Sequence, residues 1–379
     1  MDWLTTAHGR AAPEGGLSVD RWFAEQGPPL GRDLARSGAP SLSLGELLEL
    51  TGASAGEIMA LPLDYGPGRG GGRIIAAIRR SLGAGEAASV VVSGGAVEAL
   101  LLLCLATAAG GDVLVGTPAY GALLSAPAAA GRRLRLARVW DPVRGLRFDE
   151  LMEQVTPATS LVVVNSPHNP SGARASLAEL DELADCCARS GALLVVDEVA
   201  RGTLDPHAPS AVQSRGFRRG ITAVLGDVSK SLGLGGLRIG WLATADANLA
   251  AGASAAKDAT TVASGTLSEH IAAVALENAD VLLRRVTAAA RANLASLCRL
   301  LAQVGDGGRW SPPVDGLVAF PALSPRRGID ELVATLRRRD VGVVPGRLFG
   351  EPNRVRLGLG SAPASFTEAL TRLGEAMGR

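Results

Sequence analysis

The sequence predicts an α/β protein in which a mostly parallel sheet is layered between helices and joined to a smaller α+β lobe. Three observations carry this expectation. Short apolar runs alternate with helical patterns through the middle of the chain. These runs are near-continuous in Val and Leu, which suits strands buried on both faces of a sheet. At 379 residues the chain has material for one large core and a second, smaller one.

The expected strands are, in order, "SVVVS" at 89–93, "DVLVG" at 112–116, "SLVVVN" at 160–165, "ALLVVD" at 192–197, "TAVLGD" at 222–227 and "LRIGWLA" at 237–243. Helical segments intervene, notably "SLAELDELADCCARSG" from Ser176 to Gly191. Together they define a large layered domain over residues 46–285. From about Ala288 a long helical pattern leads to "GLVAFPAL", a helix around 328–339, "VGVVPG", "RVRLGLG" and a closing helix. This reads as a small domain of residues 286–379, joined by residues 1–45.

Bulk properties exclude several functions. A net charge of +1 with interspersed signs leaves no electrostatic footprint for nucleic acid or an anionic membrane. The longest apolar run, Ala99 to Ala109, falls short of the roughly 18 residues a membrane span needs. "MDWLTTAHGRAAPEGG" has no basic segment followed by an apolar one, so the expectation is a cytoplasmic protein with a small-molecule partner. Cys104, Cys186, Cys187 and Cys298 are scattered, as are the histidines, so neither a metal site nor a disulfide framework is expected.

Ligands of open parallel sheets bind beyond the carboxyl ends of the strands. Those ends carry polar residues here: Ser93 to Gly95, Thr117 to Tyr120, Asn165 to Gly172, Asp197-Glu198, and Asp227 to Lys230. Lysine occurs only at Lys230 and Lys257 in a chain otherwise using arginine. Coding bias could leave two lysines at random, so the count decides nothing by itself. A lysine amine, unlike a guanidinium, can lose its proton and attack a carbonyl to form a Schiff base.

"NSPHNPSG" at 165–172, "VVDE" at 195–198 and "SKSLGLGGLRIGW" at 229–241 stand in that order. With these motifs the sequence resembles a pyridoxal-phosphate enzyme of the class I/II aminotransferase superfamily, fold type I. Within it, "DRWFAEQG", "SLSLGELLELTG" and "VPGRLFGEPNRVRLGLG" point to the branch of capreomycidine synthase-like enzymes of natural-product biosynthesis. The resemblance implies a seven-stranded, mostly parallel sheet, pyridoxal 5'-phosphate as cofactor, an amino-acid substrate, and a homodimer with shared active sites.

It also implies residue roles. Lys230 would form the Schiff base with the cofactor and later shuttle protons. Asp197 would keep the pyridine nitrogen protonated, unless it merely caps a helix. Asn169 would donate to the phenolic oxygen, a role compatible with its Asn-Pro turn. Tyr120 would stack on the ring, or else be a core tyrosine. The phosphate would meet Gly95, Ala96 and Val97 at a helix N-terminus, with Ser229, Arg238 and, from the neighbouring subunit, Tyr65. Arg356 would grip the substrate carboxylate, with Gly38 and His168 on the substrate side.

Three positions depart from the family pattern. Ala200 stands three residues after Asp197, where a tyrosine usually touches the phenolic oxygen, and Arg201 follows it. Asp227 replaces the usual hydroxyl three residues before the lysine, and Val97 another common hydroxyl. These changes imply a specialised reaction (elimination, replacement, cyclisation or carbon–carbon bond formation through a quinonoid or vinylic ketimine), with Ala200 and Arg201 admitting a larger or anionic co-substrate. An ordinary amino-acid aminotransferase is the alternative. A nicotinamide dehydrogenase is not supported, because Arg238 stands where the third glycine of its fingerprint belongs.

Overall fold

Seven strands form the central sheet: β1 (Ser89–Ser93), β2 (Asp112–Thr117), β3 (Leu134–Arg138), β4 (Thr159–Asn165), β5 (Leu193–Asp197), β6 (Thr222–Asp227) and β7 (Gly240–Thr244). Their order across the sheet is β1-β7-β6-β5-β4-β2-β3. β7 runs antiparallel to its neighbours β1 and β6, and every other pairing is parallel. The computed structural model describes residues 19–26, 30–107, 110–305, 310–326 and 328–378. Residues 1–18 of the expected small domain lie outside the described residues.

Apolar runs become central strands because both faces of the sheet are covered. Val162, Val164, Leu194, Val196 and Val224 feed one core, and Leu161, Val163, Val195, Ala223 and Leu225 feed another on the opposite face. The edge strand β3 is different: "LRLAR" alternates, with only Ala137 fully buried. It was not among the expected strands, since its arginines interrupt the apolar run that marks the others. β7 starts at Gly240 and not at 237, because Gly235–Leu237 forms a 3₁₀ turn and Arg238 takes the left-handed conformation.

The helix expected over Ser176 to Gly191 runs Leu177–Ser190, with a capping box between Ser176 and Glu179 and a left-handed Gly191 at its end. A second sheet, β8 (Val318–Ala319), β9 (Val344–Pro345) and β10 (Val355–Gly358), has the order β8-β10-β9 and is antiparallel. The helices Ala279–Gln303, Ile329–Arg338 and Pro363–Ala376 pack on it around Leu297, Leu336, Leu357 and Phe366. Arg32–Asp33 joins this lobe by pairing with Val341–Gly342. The helix Ala279–Gln303 begins nine residues before the expected Ala288, and so runs across position 285/286.

β7 fixes the start of the helix Ala96–Ala106 by close approach. A Cβ on Gly240 would lie 2.5 Å from both the Ala96 amide nitrogen and the Gly95 carbonyl carbon, and neither backbone atom is the flexible end of a side chain. Gly240→Ala is therefore expected to lower stability by about 1–3 kcal/mol through overpacking. Urea unfolding would measure it; an unchanged midpoint would show that the helix start can shift freely.

Candidate functional site

The carboxyl ends of β2, β4, β5 and β6, and the start of the helix Ala96–Ala106, surround a cleft of about 900 Å3, its open mouth included. Tyr120, Asn169, Asp197, Ala200, Lys230 and Arg238 all line it. Parallel strands bring the first five together because their carboxyl ends share one edge of the sheet, and Arg238 reaches the same edge because it precedes the antiparallel β7.

Lys230 follows β6 by three residues. Its carbonyl accepts from the Ala39 amide at 2.8 Å. A Cβ on Gly38 would sit 3.6 Å from both Cα and Cδ of Lys230, so the N-terminal segment lies directly over the lysine.

Asp197 ends β5 opposite Asn165 of β4. It is only 4% exposed, and one oxygen accepts from the Val199 amide at 3.1 Å. Burial pushes its carboxyl up to about 7; the Val199 hydrogen bond opposes this, Asp227 and Glu198 add to it, and Lys230 opposes it. Asn165 donates from Nδ2 to the Asp197 carbonyl at 2.9 Å, and its Oδ1 accepts from the Asn169 amide at 2.6 Å. Asn165 thus sets Asn169 relative to Asp197. It was not among the expected site residues, and its place at the end of a buried strand was the available signal.

Arg356 lies on β10 and is 1% exposed. It donates from Nη1 to Asn169 Oδ1 at 3.1 Å and from Nη2 to the Ala35 carbonyl at 2.7 Å. It reaches the cleft through Asn169.

At the other end Gly95 has φ +105, and a Cβ there would lie 2.5 Å from Arg238 Nη2. Arg238 Nη2 also donates to the Gly94 carbonyl at 2.9 Å. Ala96, Val97 and Ser229 line the same end, and the buried Ser229 Oγ has no well-formed hydrogen bond among the described residues. Asp227 opens on one side to the cleft and accepts from the Ser229 amide at 2.8 Å. Its burial on the other sides raises the carboxyl pKa, partly offset by the Ser229 amide and Lys230.

Three expected residues stand differently. Arg201 turns away from the cleft: it donates to the carbonyls of Ala208 at 2.9 Å and Ser81 at 2.8 Å, and pairs with Glu198 at 3.3 Å. Its charge is used by the fold and does not face a co-substrate, because Glu198 is buried beside it and draws the guanidinium inward. His168 lines the cleft but both its ring nitrogens are engaged, at 2.7 Å to the Pro118 carbonyl and 2.7 Å to Ser171 Oγ. The carbonyl can only accept, so Nε2 carries the proton and Nδ1 accepts from the hydroxyl. Burial brings the imidazole down to about 4, so it stays neutral. Tyr65 is 88% exposed and is not brought to the cleft of its own chain. Leu317 and Val318, which do line the cleft, carry no chemical signal in the sequence.

The donor set fits a flat, phosphate-bearing pyridine aldehyde. It offers a helix N-terminus, a guanidinium and an orphaned hydroxyl at one end, a buried carboxylate in the middle, and an amine within reach. Residues 64–373 match the family of aminotransferases class I and II. The chain belongs to that family and is a pyridoxal-phosphate-dependent enzyme of fold type I.

Among its relatives is a capreomycidine synthase of Streptomyces vinaceus, 33% identical over 95% of this chain and 93% of the relative. A probable N-succinyldiaminopimelate aminotransferase of Mycobacterium tuberculosis is 31% identical over 76% of this chain and 75% of the relative. The crystal structure of the PLP-dependent cyclase OrfR superposes with a TM-score of 0.82 at 30% identity, covering 97% of this chain and 98% of that one. Among the described residues no helix is long and apolar enough to cross a membrane.

The raised pKa of Asp197 gives the cofactor-free protein a pH signature. The folded chain keeps a proton to about 7 that the unfolded chain releases near 3.8, so stability from this group is full below the lower value and lost as pH rises through the upper one. Asp197→Asn is expected to flatten that fall in thermal unfolding of the cofactor-free protein; equal slopes in both proteins would assign it to other groups.

Proposed function

We propose that the enzyme carries out a specialised biosynthetic reaction on an amino-acid substrate, with ring closure the leading form. The observation that carries this reading is likeness over nearly the full chain to a capreomycidine synthase and to a PLP-dependent cyclase, together with Ala200 in the cleft wall. Bound pyridoxal phosphate supplies an electron sink for charge developing at the substrate's α-carbon.

The chain's own residues would do the rest. Lys230 joins the cofactor through its amine and then moves protons at the α-carbon. Asp197, poorly solvated, holds a proton on the ring nitrogen, because a buried anion favours a cation beside it. Asn169 Oδ1 already accepts from Arg356, so Nδ2 is the atom that would donate to the phenolic oxygen. Tyr120 stacks on the ring. The amides of Gly95, Ala96 and Val97, Ser229 Oγ and Arg238 hold the phosphate.

Arg356, which meets the cleft through Asn169, would extend its planar fork past that contact to the substrate carboxylate, with Gly38 above Lys230 closing that side. His168 acts from behind, bracing Pro118 and so the Tyr120 segment. Tyr65 of the partner subunit completes the phosphate seat in a homodimer. In this reading residues 46–285 form the cofactor-binding domain, and 1–45 with 286–379 the small one, of a cytoplasmic protein.

An ordinary aminotransferase is the second reading, favoured by the Mycobacterium tuberculosis relative. The end state of the cofactor separates the two. Holoenzyme given a panel of amino acids without a keto-acid acceptor should return its cofactor to the starting absorbance after each turnover. Accumulation of the pyridoxamine form, with a keto acid as product, would overturn the leading reading. Lys230→Ala should lower kcat/KM by at least ~10^3-fold and leave cofactor removable by dialysis; retained turnover would sink the role of this lysine. Arg356→Lys should raise KM by about 10- to 100-fold, as expected for losing a charge-assisted, bidentate contact, and an unchanged KM would place the carboxylate elsewhere.

A further inference from the structure

One side of the cleft is built by a carboxylate that lies outside it. Asp315 is fully buried. Its Oδ1 accepts from the amides of Thr203 at 3.0 Å, Leu204 at 3.0 Å and its own neighbour Gly316 at 2.8 Å. Its Oδ2 accepts from the Gly202 amide at 2.9 Å, and Arg174 Nη1 lies 3.8 Å away. The amides of Val314 and Asp315 in turn donate to the Gly172 carbonyl at 3.0 and 3.2 Å.

Three segments are therefore pinned together: the turn that carries Asn169, the loop after β5 that carries Ala200, and the strap 313–318 leading into β8. A buried carboxylate satisfied by several amides of one loop fixes that loop, because any displacement leaves charge unsolvated.

The consequence appears on the cleft surface. Pro167, Ala200, Gly316, Leu317 and Val318 all line the cleft. Gly316 has φ +81, and a Cβ on it would lie 3.3 Å from Pro167 Cβ and 3.7 Å from Ala200 Cβ. The room left by the small side chain of Ala200 is thus bounded by the backbone of the strap.

We propose that the strap 313–318 is the wall that determines which substrate side chains fit, with Ala200 and Gly316 as a matched pair of small residues and Asp315 as the positioning residue that seats it. This rests on the reading that the cleft holds an amino-acid substrate on the cofactor. The wall selects by size: bulk added at position 200 meets the strap, and loss of the Asp315 clamp lets the strap recede.

The test uses holoenzyme and amino acids of graded side-chain size, with substrate binding read from the change in cofactor absorbance and turnover read separately. Ala200→Val should shift the preference between the largest and smallest responding amino acids by at least ~10-fold towards the smaller. Asp315→Asn should raise KM more than it lowers kcat, flatten the size preference, and speed amide exchange at Gly202 to Leu204 while β5 stays protected. If Asp315→Asn does not fold, Ala200→Val still decides.

A size preference that Ala200→Val leaves intact, in a protein whose absorbance responds to amino acids, would overturn this proposal alone. If no amino acid changes the absorbance of the unaltered holoenzyme, the proposal falls together with the reading beneath it.

Discussion

A carboxylate buried at the end of a parallel strand is the constraint around which the cleft is organised. Asp197 is withdrawn from water and, among the described residues, accepts from the amide of Val199 alone. Such a group either keeps a proton or requires a cation. The role proposed for Asp197 beside a cationic ring nitrogen would use a place already set by geometry. The β4–β5 register sets Asn165 against Asp197, Asn165 then fixes Asn169, and the turn after β6 brings Lys230 to the same cleft.

Comparison with other buried carboxylates in the chain shows why Asp197 stands apart. Glu198, the next residue, accepts from Ser210 Oγ and the Ala211 amide, each at 2.6 Å, and pairs with Arg201. Asp315 is held by several amides. Both are satisfied within the fold, and both serve to hold loops in place. Asp197 differs from these two: among the described residues it accepts from one amide, and it lines the cleft, where a ligand can supply a further partner.

The sheet was legible because strands buried on both faces need apolar residues at every position, and "LVVV" or "LLVV" leaves little else to expect. β3 escaped because an edge strand needs apolar side chains on one face only. That motif residues at strand ends gather around one cleft was legible through motif order. Arg201 misled: its place beside Ala200 suggested a charge facing the cleft, whereas the buried Glu198 and two carbonyls claim its guanidinium. His168 likewise sits in the right motif, yet spends both ring nitrogens on Pro118 and Ser171. The strap escaped altogether, since a carboxylate that binds backbone amides imposes no pattern on the residues whose amides it takes.

The second lobe meets the first through contacts placed at the strand ends of the central sheet. Arg356 reaches Asn169, the Ala39 amide binds the Lys230 carbonyl, and Asp315 ties the strap to the loop after β5. Each contact joins a segment beyond the central sheet to one of its strand ends. The cofactor's surroundings are held by the sheet, whose geometry cannot change without losing its core. On the proposed reading the substrate's surroundings are held largely by these outer segments, joined through a few hydrogen bonds. On the proposed reading, putting tyrosine at position 200 or moving the strap would alter which substrate fits while leaving Lys230 and Asp197 where they are, and this is the physical sense in which function resides in the site and not in the fold.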